Sequence, residues 1–178
     1  MMNKFLYIVE GEIEDRFLNQ VKEDDYIIAG RVRKFNLMQK KLSAKNSILN
    51  TKYDEIFCII DTDRVDTPNL QVLRDNLKQL QKIGKIVLLI QHQNFEDELL
   101  YMVNSRNIKT LCTMFNLSHG TVKDLKEFLN QKIRYQKYIS KEMMRRYCAR
   151  PEVFKRHLEE TRSTINTKII FTGQKIIK

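Results

Sequence analysis

The chain has 178 residues, of which 42% are hydrophobic and 30% charged, a size and mixture that suit one ordinary domain plus an extension and exclude collagen-like, mucin-like and disordered-tail readings. Its longest apolar runs, such as Ile86–Ile90, fall far short of the roughly 18 residues that cross a bilayer, and the N-terminus carries no signal-peptide apolar region, so a soluble, cytoplasmic protein is expected. The net charge of +10 is unevenly spread: residues 1–120 hold 17 Lys and Arg against 16 Asp and Glu, residues 121–178 hold 15 against 6. A last third charged in this way suits a polyanion whose counterions it would release, with solvated helix faces as the plain alternative.

Phe5–Val9 is a short apolar run that stops at Glu10-Gly11, and the period then changes, with Ile13, Phe17 and Val21 on one face at intervals of four. This predicts a strand, a glycine turn and a helix. After Gly30 a second strand is expected over 31–37, followed by a Lys-rich helical stretch over 39–52. Phe57–Ile60 is apolar throughout and ends at Asp61, as expected of a strand buried on both faces of a parallel sheet. Pro68 can open the next helix, in which Leu70, Leu73, Leu77 and Leu80 share a face, and Gly84 follows its end. Ile86–Ile90 is a further buried strand, after which Asn94 is placed to cap a helix over 95–103 whose early Asp97 and Glu98 suit the helix dipole. The order βαβαβαβα predicts an α/β fold, a mostly parallel sheet flanked by helices, with its site at the carboxyl ends of the strands.

Beyond Asn104 the pattern is helical, with helices expected near 108–115, 121–131, 141–147 and 151–160, and a marginal tail that carries a strand at 168–172. The expected organisation is a core over 1–104 and a basic helical extension over 105–178. Cys58, Cys112 and Cys148 form no C-x-x-C pair and are read as reduced core thiols, and His92, His119 and His157 share no ligand spacing.

Acidic residues fall where that fold puts a site. Glu10 and Glu14 follow the first strand, Asp61 and Asp63 the third, and Glu96 the fourth. Clustered carboxylates repel one another at neutral pH, and a divalent cation relieves that repulsion; an all-oxygen donor set favours Mg²⁺ or Mn²⁺ over zinc. Such a site can activate water against a phosphodiester. Against this stands the bland reading, in which Asp61, Asp63 and Asp66 are a polar strand-to-loop transition and Glu10 and Glu14 face solvent.

Tyr7-Ile8-Val9-Glu10-Gly11-Glu12-Ile13-Glu14, followed by Phe57-Cys58-Ile59-Ile60-Asp61-Thr62-Asp63-Arg64, resembles the TOPRIM superfamily, marked by a Glu after the first strand and a D-x-D after the third. Asn94-Phe95-Glu96-Asp97-Glu98-Leu99-Leu100 is similar to the segment after the fourth strand in RloB-like proteins and the overcoming-lysogenization-defect nucleases, which are often linked to phage defence. The resemblance covers roughly the first hundred residues. It implies a TOPRIM-like core that acts as a metal-dependent nuclease on DNA or RNA. In that reading Glu10 is a metal ligand or general acid/base, Asp61 and Asp63 are metal ligands, and Glu14 and Glu96 complete the site. No G-x-x-x-x-G-K-[ST] segment occurs, so ATP gating is not expected. A homodimer or a partner protein in a defence complex stays open, as does a non-catalytic nucleic-acid-binding subunit with a degenerate site.

Three further readings compete. Asp61-Thr62-Asp63-Arg64-Val65 also fits the first motif of haloacid-dehalogenase-like phosphatases, although that motif normally follows the first strand of the core. Leu111-Cys112, Asn116-Leu117, Val122 and Leu125 match the spacing of a helix-turn-helix whose second helix would offer Lys123 and Lys126 to DNA. Finally, Arg134, Lys137, Arg145 and Arg146, interleaved with Tyr135, Tyr138 and Tyr147, suit nucleic-acid backbone contact with base stacking, the alternative being half-buried packing tyrosines.

Overall fold

The computed structural model describes residues 3–63, 65–131, 133–150, 152, 154–156, 170–171 and 173–177. Five strands, β1 (Phe5–Val9), β2 (Arg31–Lys34), β3 (Glu55–Asp61), β4 (Lys85–Gln91) and β5 (Ile170–Phe171), form one parallel sheet in the order β2-β1-β3-β4-β5. The helices are α1 (Glu12–Glu23), α2 (Thr67–Leu80), α3 (Phe95–Met102), α4 (Ile108–Met114), α5 (Val122–Leu129) and α6 (Lys141–Met144). The fold is therefore the expected α/β arrangement with a parallel sheet between helices. Among the described residues no helix is long and apolar enough to cross a membrane.

Strand alternation divides the interior into two layers. Tyr7, Val9, Phe57, Ile59, Val87 and Leu89 face a layer built from α1, α3, α4, α5 and the segment beyond, whereas Leu6, Ile8, Ile56, Cys58, Ile60 and Leu88 face α2 and the loop that precedes β3. The central strands are apolar without a break because both of their faces are covered.

Two expectations about local structure are corrected. The strand after Gly30 ends at Lys34, and residues 39–52 form turns and a short 3-10 helix at Ser47–Asn50 in place of an α-helix. The Asn36 side chain accepts hydrogen bonds from the backbone of Met38 and Gln39 (3.0 and 2.9 Å), and Asn46 does the same for Ile48 (3.0 Å), each offering the backbone an alternative to a helix. The buried Asn76 of α2 then holds the loop down, donating to the carbonyls of Leu37 and Lys40 and accepting from the Leu42 amide, each at 2.7 Å. The crossover is thus irregular, yet it still buries Leu37, Met38, Leu42 and Ile48.

The basic extension is built into the same core. Ile133, Tyr135, Ile139, Met144 and Tyr147 belong to the cluster that contains Tyr7 and Phe57, and the Tyr26 hydroxyl donates to the Ile139 carbonyl at 2.8 Å. Tyr135 and Tyr147 are 2% and 0% exposed and both pack on Phe17, while Tyr138 meets Phe115 and Phe128 edge-on. Base stacking by Tyr135 and Tyr147 is excluded, and the packing reading holds. At the far end β5 pairs with β4, and the Ile28 amide donates to the Ile176 carbonyl at 2.8 Å. The helix expected over 151–160 is helical at 152 and 154–156, and its other residues lie outside the described ones, as do Arg64, His157 and the flanks of the strand expected at 168–172.

Candidate active site

The carboxyl ends of β1, β3 and β4 open into a cavity of about 500 Å³ whose lining includes Glu10, Glu14, Asp61, Asp63 and Glu96. All five acidic residues singled out from the sequence therefore share one space. Each is put there by an element boundary: Glu10 leaves β1, Glu14 lies in the first turn of α1, Asp61 ends β3, Asp63 follows it, and Glu96 opens α3.

The separation of Asp61 from Asp63 is fixed by the residue between them. Thr62 is buried, donates its hydroxyl to the Gln91 carbonyl (3.2 Å) and accepts from the Gln93 amide (2.7 Å), while the Gln93 carbonyl accepts from the amides of both Thr62 and Asp63 at 3.0 Å. Gln93 reaches this position with a φ of 62°, the left-handed region that a residue with a Cβ enters at a cost. Five atoms of loop backbone and one hydroxyl thus splice the ends of β3 and β4 and leave both carboxylates on the cavity side. Asn94 caps α3 by accepting from the Asp97 amide at 3.1 Å, which sets the start of the helix that brings Glu96 in. Asp66 has another task, capping α2 through the Asn69 amide at 2.8 Å, and it does not line the cavity.

Gly11 is the N-cap of α1, and a Cβ there would stand 2.5 Å from a carboxylate oxygen of Glu14. The absence of a side chain is what lets Glu14 fold back over the turn.

The electrostatics follow from this crowding. Burial pushes the Asp61 carboxyl up to about 9, and the charges of Glu14, Glu10, Asp63 and Glu96 push in the same direction. One Asp61 oxygen, Oδ1, is buried without a hydrogen-bond partner among the described residues. Glu14 is raised too, first by burial and then by Glu96, against the lowering effect of backbone N–H donors and of Lys126. One compensating cation comes from the extension: Lys126 of α5 lies 3.3 Å from Glu96 and, with Asn130, lines the cavity. Glu12 also reaches the lining, where Lys34 of β2 pairs with it.

Lys126, Asn130, Asn36 and Gln39 are cavity residues that sequence reasoning missed. A signal existed for Lys126, since it sits on α5 beside the buried Leu125 and Leu129 and so flanks the face turned to the core. In the helix-turn-helix comparison Cys112 and Leu125 are buried and Asn116 takes a left-handed φ of 58° at the turn, but Val122 is 47% exposed where that motif wants a core residue. Arg134, Lys137, Arg145 and Arg146 are exposed, and none of them lines the acidic cavity. His92 and His119 do not line it either.

Among the described residues no group of three or more His, Cys, Asp or Glu stands close enough together to hold a metal ion.

No protein-family model matches the chain, and no curated protein and no solved structure matches it.

Proposed function

We propose that the chain is a divalent-metal-dependent phosphodiester hydrolase that acts on nucleic acid, with Mg²⁺ or Mn²⁺ as its cation. The observation that carries this reading is the convergence of Glu10, Glu14, Asp61, Asp63 and Glu96 on one cavity at the strand ends, with Glu14 buried and one oxygen of the half-buried Asp61 buried and unpartnered among the described residues. A carboxyl oxygen buried without a hydrogen-bond partner is a destabilising arrangement that a fold retains for use and not for stability. In this reading Glu10, Asp61 and Asp63 hold the cation, and Glu14 and Glu96 complete its surroundings. When bound, the ion supplies the lowered pKa of a coordinated water and the charge that steadies the leaving oxygen. Thr62 and Gln93 hold the backbone that carries Asp61 and Asp63, and the carboxylates draw together as the cation binds. Lys126 offers an ammonium group at the rim, where a phosphate oxygen can compete with Glu96 for it. Asn36, Gln39 and Asn130 add neutral hydrogen-bonding groups that orient the strand. Arg134, Lys137, Arg145 and Arg146 serve as exposed phosphate contacts, and the resemblance to TOPRIM and RloB-like proteins points toward a role in phage defence.

The deciding experiment incubates the purified protein with a panel of single-stranded DNA, duplex DNA and RNA in Mg²⁺, Mn²⁺ and chelator. Cleavage in metal alone is expected, lost in Asp61→Ala, Asp63→Ala and Glu10→Ala proteins that keep their circular-dichroism spectrum. Replacing the four exposed basic residues by Gln should flatten the salt dependence of binding by about one unit of log–log slope per phosphate contact removed. Binding without cleavage under every condition would reduce the protein to the non-catalytic subunit.

A further inference from the structure

Oδ1 of Asp61 and Oε1 of Gln91 are both buried without a hydrogen-bond partner among the described residues. They belong to neighbouring strand ends: Asp61 closes β3, Gln91 closes β4, and the two are partners in the parallel register. Partners in a parallel register send their side chains to the same face of the sheet, and neighbouring strands lie about 4.8 Å apart, a gap that a glutamine amide spans. By strand alternation the face is that of Phe57 and Ile59 on β3 and of Val87 and Leu89 on β4, the layer that also holds α1, α3 and Tyr147. Asp61 lines the acidic cavity; Gln91 is 0% exposed and does not. The amide therefore stands beside the carboxyl on its protein side.

Gln91 is anchored from the extension. Its Nε2 donates to the Tyr147 hydroxyl at 2.9 Å, and Tyr147 is itself buried and packed on Phe17. With the nitrogen so engaged the amide offers Asp61 only an acceptor, and two acceptors side by side satisfy neither. A half-turn about the last bond of the side chain exchanges the amide oxygen and nitrogen, which are nearly equal in size, and needs no extra room. The Tyr147 hydroxyl then donates to Oε1, and Nε2 is free to donate to Oδ1 of Asp61. Both orphaned acceptors gain a donor by this one rotation, as buried polar groups in folded proteins nearly always do.

We propose that Gln91 is a positioning residue of the acidic cluster: its amide, held by Tyr147, donates to Oδ1 of Asp61 and sets the plane of that carboxyl so that the other oxygen, Oδ2, is presented to the cavity. The bond is open to the carboxylate and to the neutral acid alike, because Oδ1 accepts in both. It adds what the backbone does not supply. Thr62 and Gln93 hold the chain that carries Asp61, whereas Gln91 sets the angle of the side chain. The assignment rests on the hydrolase reading, in which Asp61 holds the cation, and an outer partner that orients a ligating carboxylate raises the affinity of the site for metal.

Two measurements test it, the first without metal. In isotope-labelled protein in chelator, the side-chain amide resonances of Gln91 are identified by NMR through their loss in Gln91→Met and followed in two further variants. Amide protons bonded to a carboxyl oxygen resonate downfield; those of Gln91 should stay there in Tyr147→Phe, which keeps the ring, and move upfield in Asp61→Ala. Protons that move in Tyr147→Phe and ignore Asp61→Ala overturn the proposal. In the second measurement Mn²⁺ is titrated by calorimetry. Gln91→Met, similar in length and volume, should bind about tenfold more weakly than wild type, and the same substitution made in Asp61→Ala should cause no further loss. Unchanged affinity overturns the proposal, as does an equal loss in the Asp61→Ala background, which would mark a structural effect. If Tyr147→Phe fails to fold, the Asp61→Ala spectrum and the titration decide. The two readings fail separately: Mn²⁺ affinity that depends on Gln91, with no cleavage of any nucleic acid, removes the hydrolase, whereas cleavage and Mn²⁺ binding that ignore Gln91→Met remove the positioning bond alone. Wild-type protein that binds no Mn²⁺ removes both.

Discussion

Asp61→Asn should make the metal-free protein more stable at neutral pH, and the size of the gain follows from the burial of the side chain it replaces. The folded protein holds the Asp61 proton up to about pH 9, against an ordinary value of 3.8. A folded-state pKa above the unfolded one contributes stability that is fully present below pH 4. That stability is lost as the pH rises, because the unfolded chain ionises freely while the folded one resists, and the loss is complete once the folded group has titrated near pH 9. At pH 7 about three units of this interval have been crossed, and at 1.36 kcal/mol per unit the cost is on the order of 4 kcal/mol. Asparagine is nearly isosteric and does not titrate. Both the neutral acid and the amide leave a donor without a partner, so that contribution cancels. For a chain of this length 1 kcal/mol moves the melting temperature by about 2–4 °C, and the variant should therefore melt about 8–16 °C above the wild type at pH 7 in chelator, with the gap closing toward pH 4. Adding Mg²⁺ should reverse the order, since the cation binds the native wild-type site and the variant lacks a ligand. Thermal denaturation followed by circular dichroism from pH 4 to 9, with and without chelator, measures all of this. A gap that did not depend on pH, or an Asn variant less stable than wild type at pH 7, would refute the electrostatic reasoning.

Gly11→Ala should lower metal affinity at least tenfold by calorimetric titration, because the added Cβ would occupy the place of a Glu14 oxygen 2.5 Å away, while the melting temperature in chelator holds, since the φ of −121° suits any residue. Glu98→Ala should cost about 3–5 kcal/mol in urea unfolding, the penalty for leaving a partly buried Arg150 unpaired. The same substitution should speed hydrogen exchange at the Cys148 amide, which donates to Glu98 at 2.7 Å; a protected amide in the variant would show that the extension docks without Glu98.

The parts of this structure that the sequence disclosed are those governed by short-range rules. An apolar run that ends abruptly in an acid is a buried parallel strand delivering that acid to the sheet's edge, and Val9-Glu10 and Ile60-Asp61 both obey it, whereas Glu96 follows β4 only after a short loop, on the first turn of α3. Caps are equally local, as Asn94 and Pro68 show. The Lys-rich stretch over 39–52 misled because charge and spacing at helical intervals say nothing about Asn36 and Asn46, whose side chains draw the backbone into turns, or about Asn76, which secures the loop from more than thirty residues away.

Glu98 is the sharper case, because its placement in a first helical turn suggested only a dipole contact. It is 0% exposed and accepts from the His92 amide at 3.1 Å, the Cys148 amide at 2.7 Å and the Arg150 guanidinium at 3.3 Å. Arg150 in turn lies over the Tyr101 ring at 3.7 Å. The neighbouring Gln91 donates to the Tyr147 hydroxyl at 2.9 Å, so two polar links join the end of β4 to the extension. Glu96 and Glu98 are two residues apart on one helix and therefore face different ways, one into the acidic cavity and one into the joint with residues 147–150. The position of the candidate ligand Glu96 is thus tied to the docking of the basic extension, through contacts whose partners are fifty residues distant in the chain. Periodicity can place a carboxylate on a helix face, but only the assembled fold determines whether that face meets solvent, a cation or an arginine.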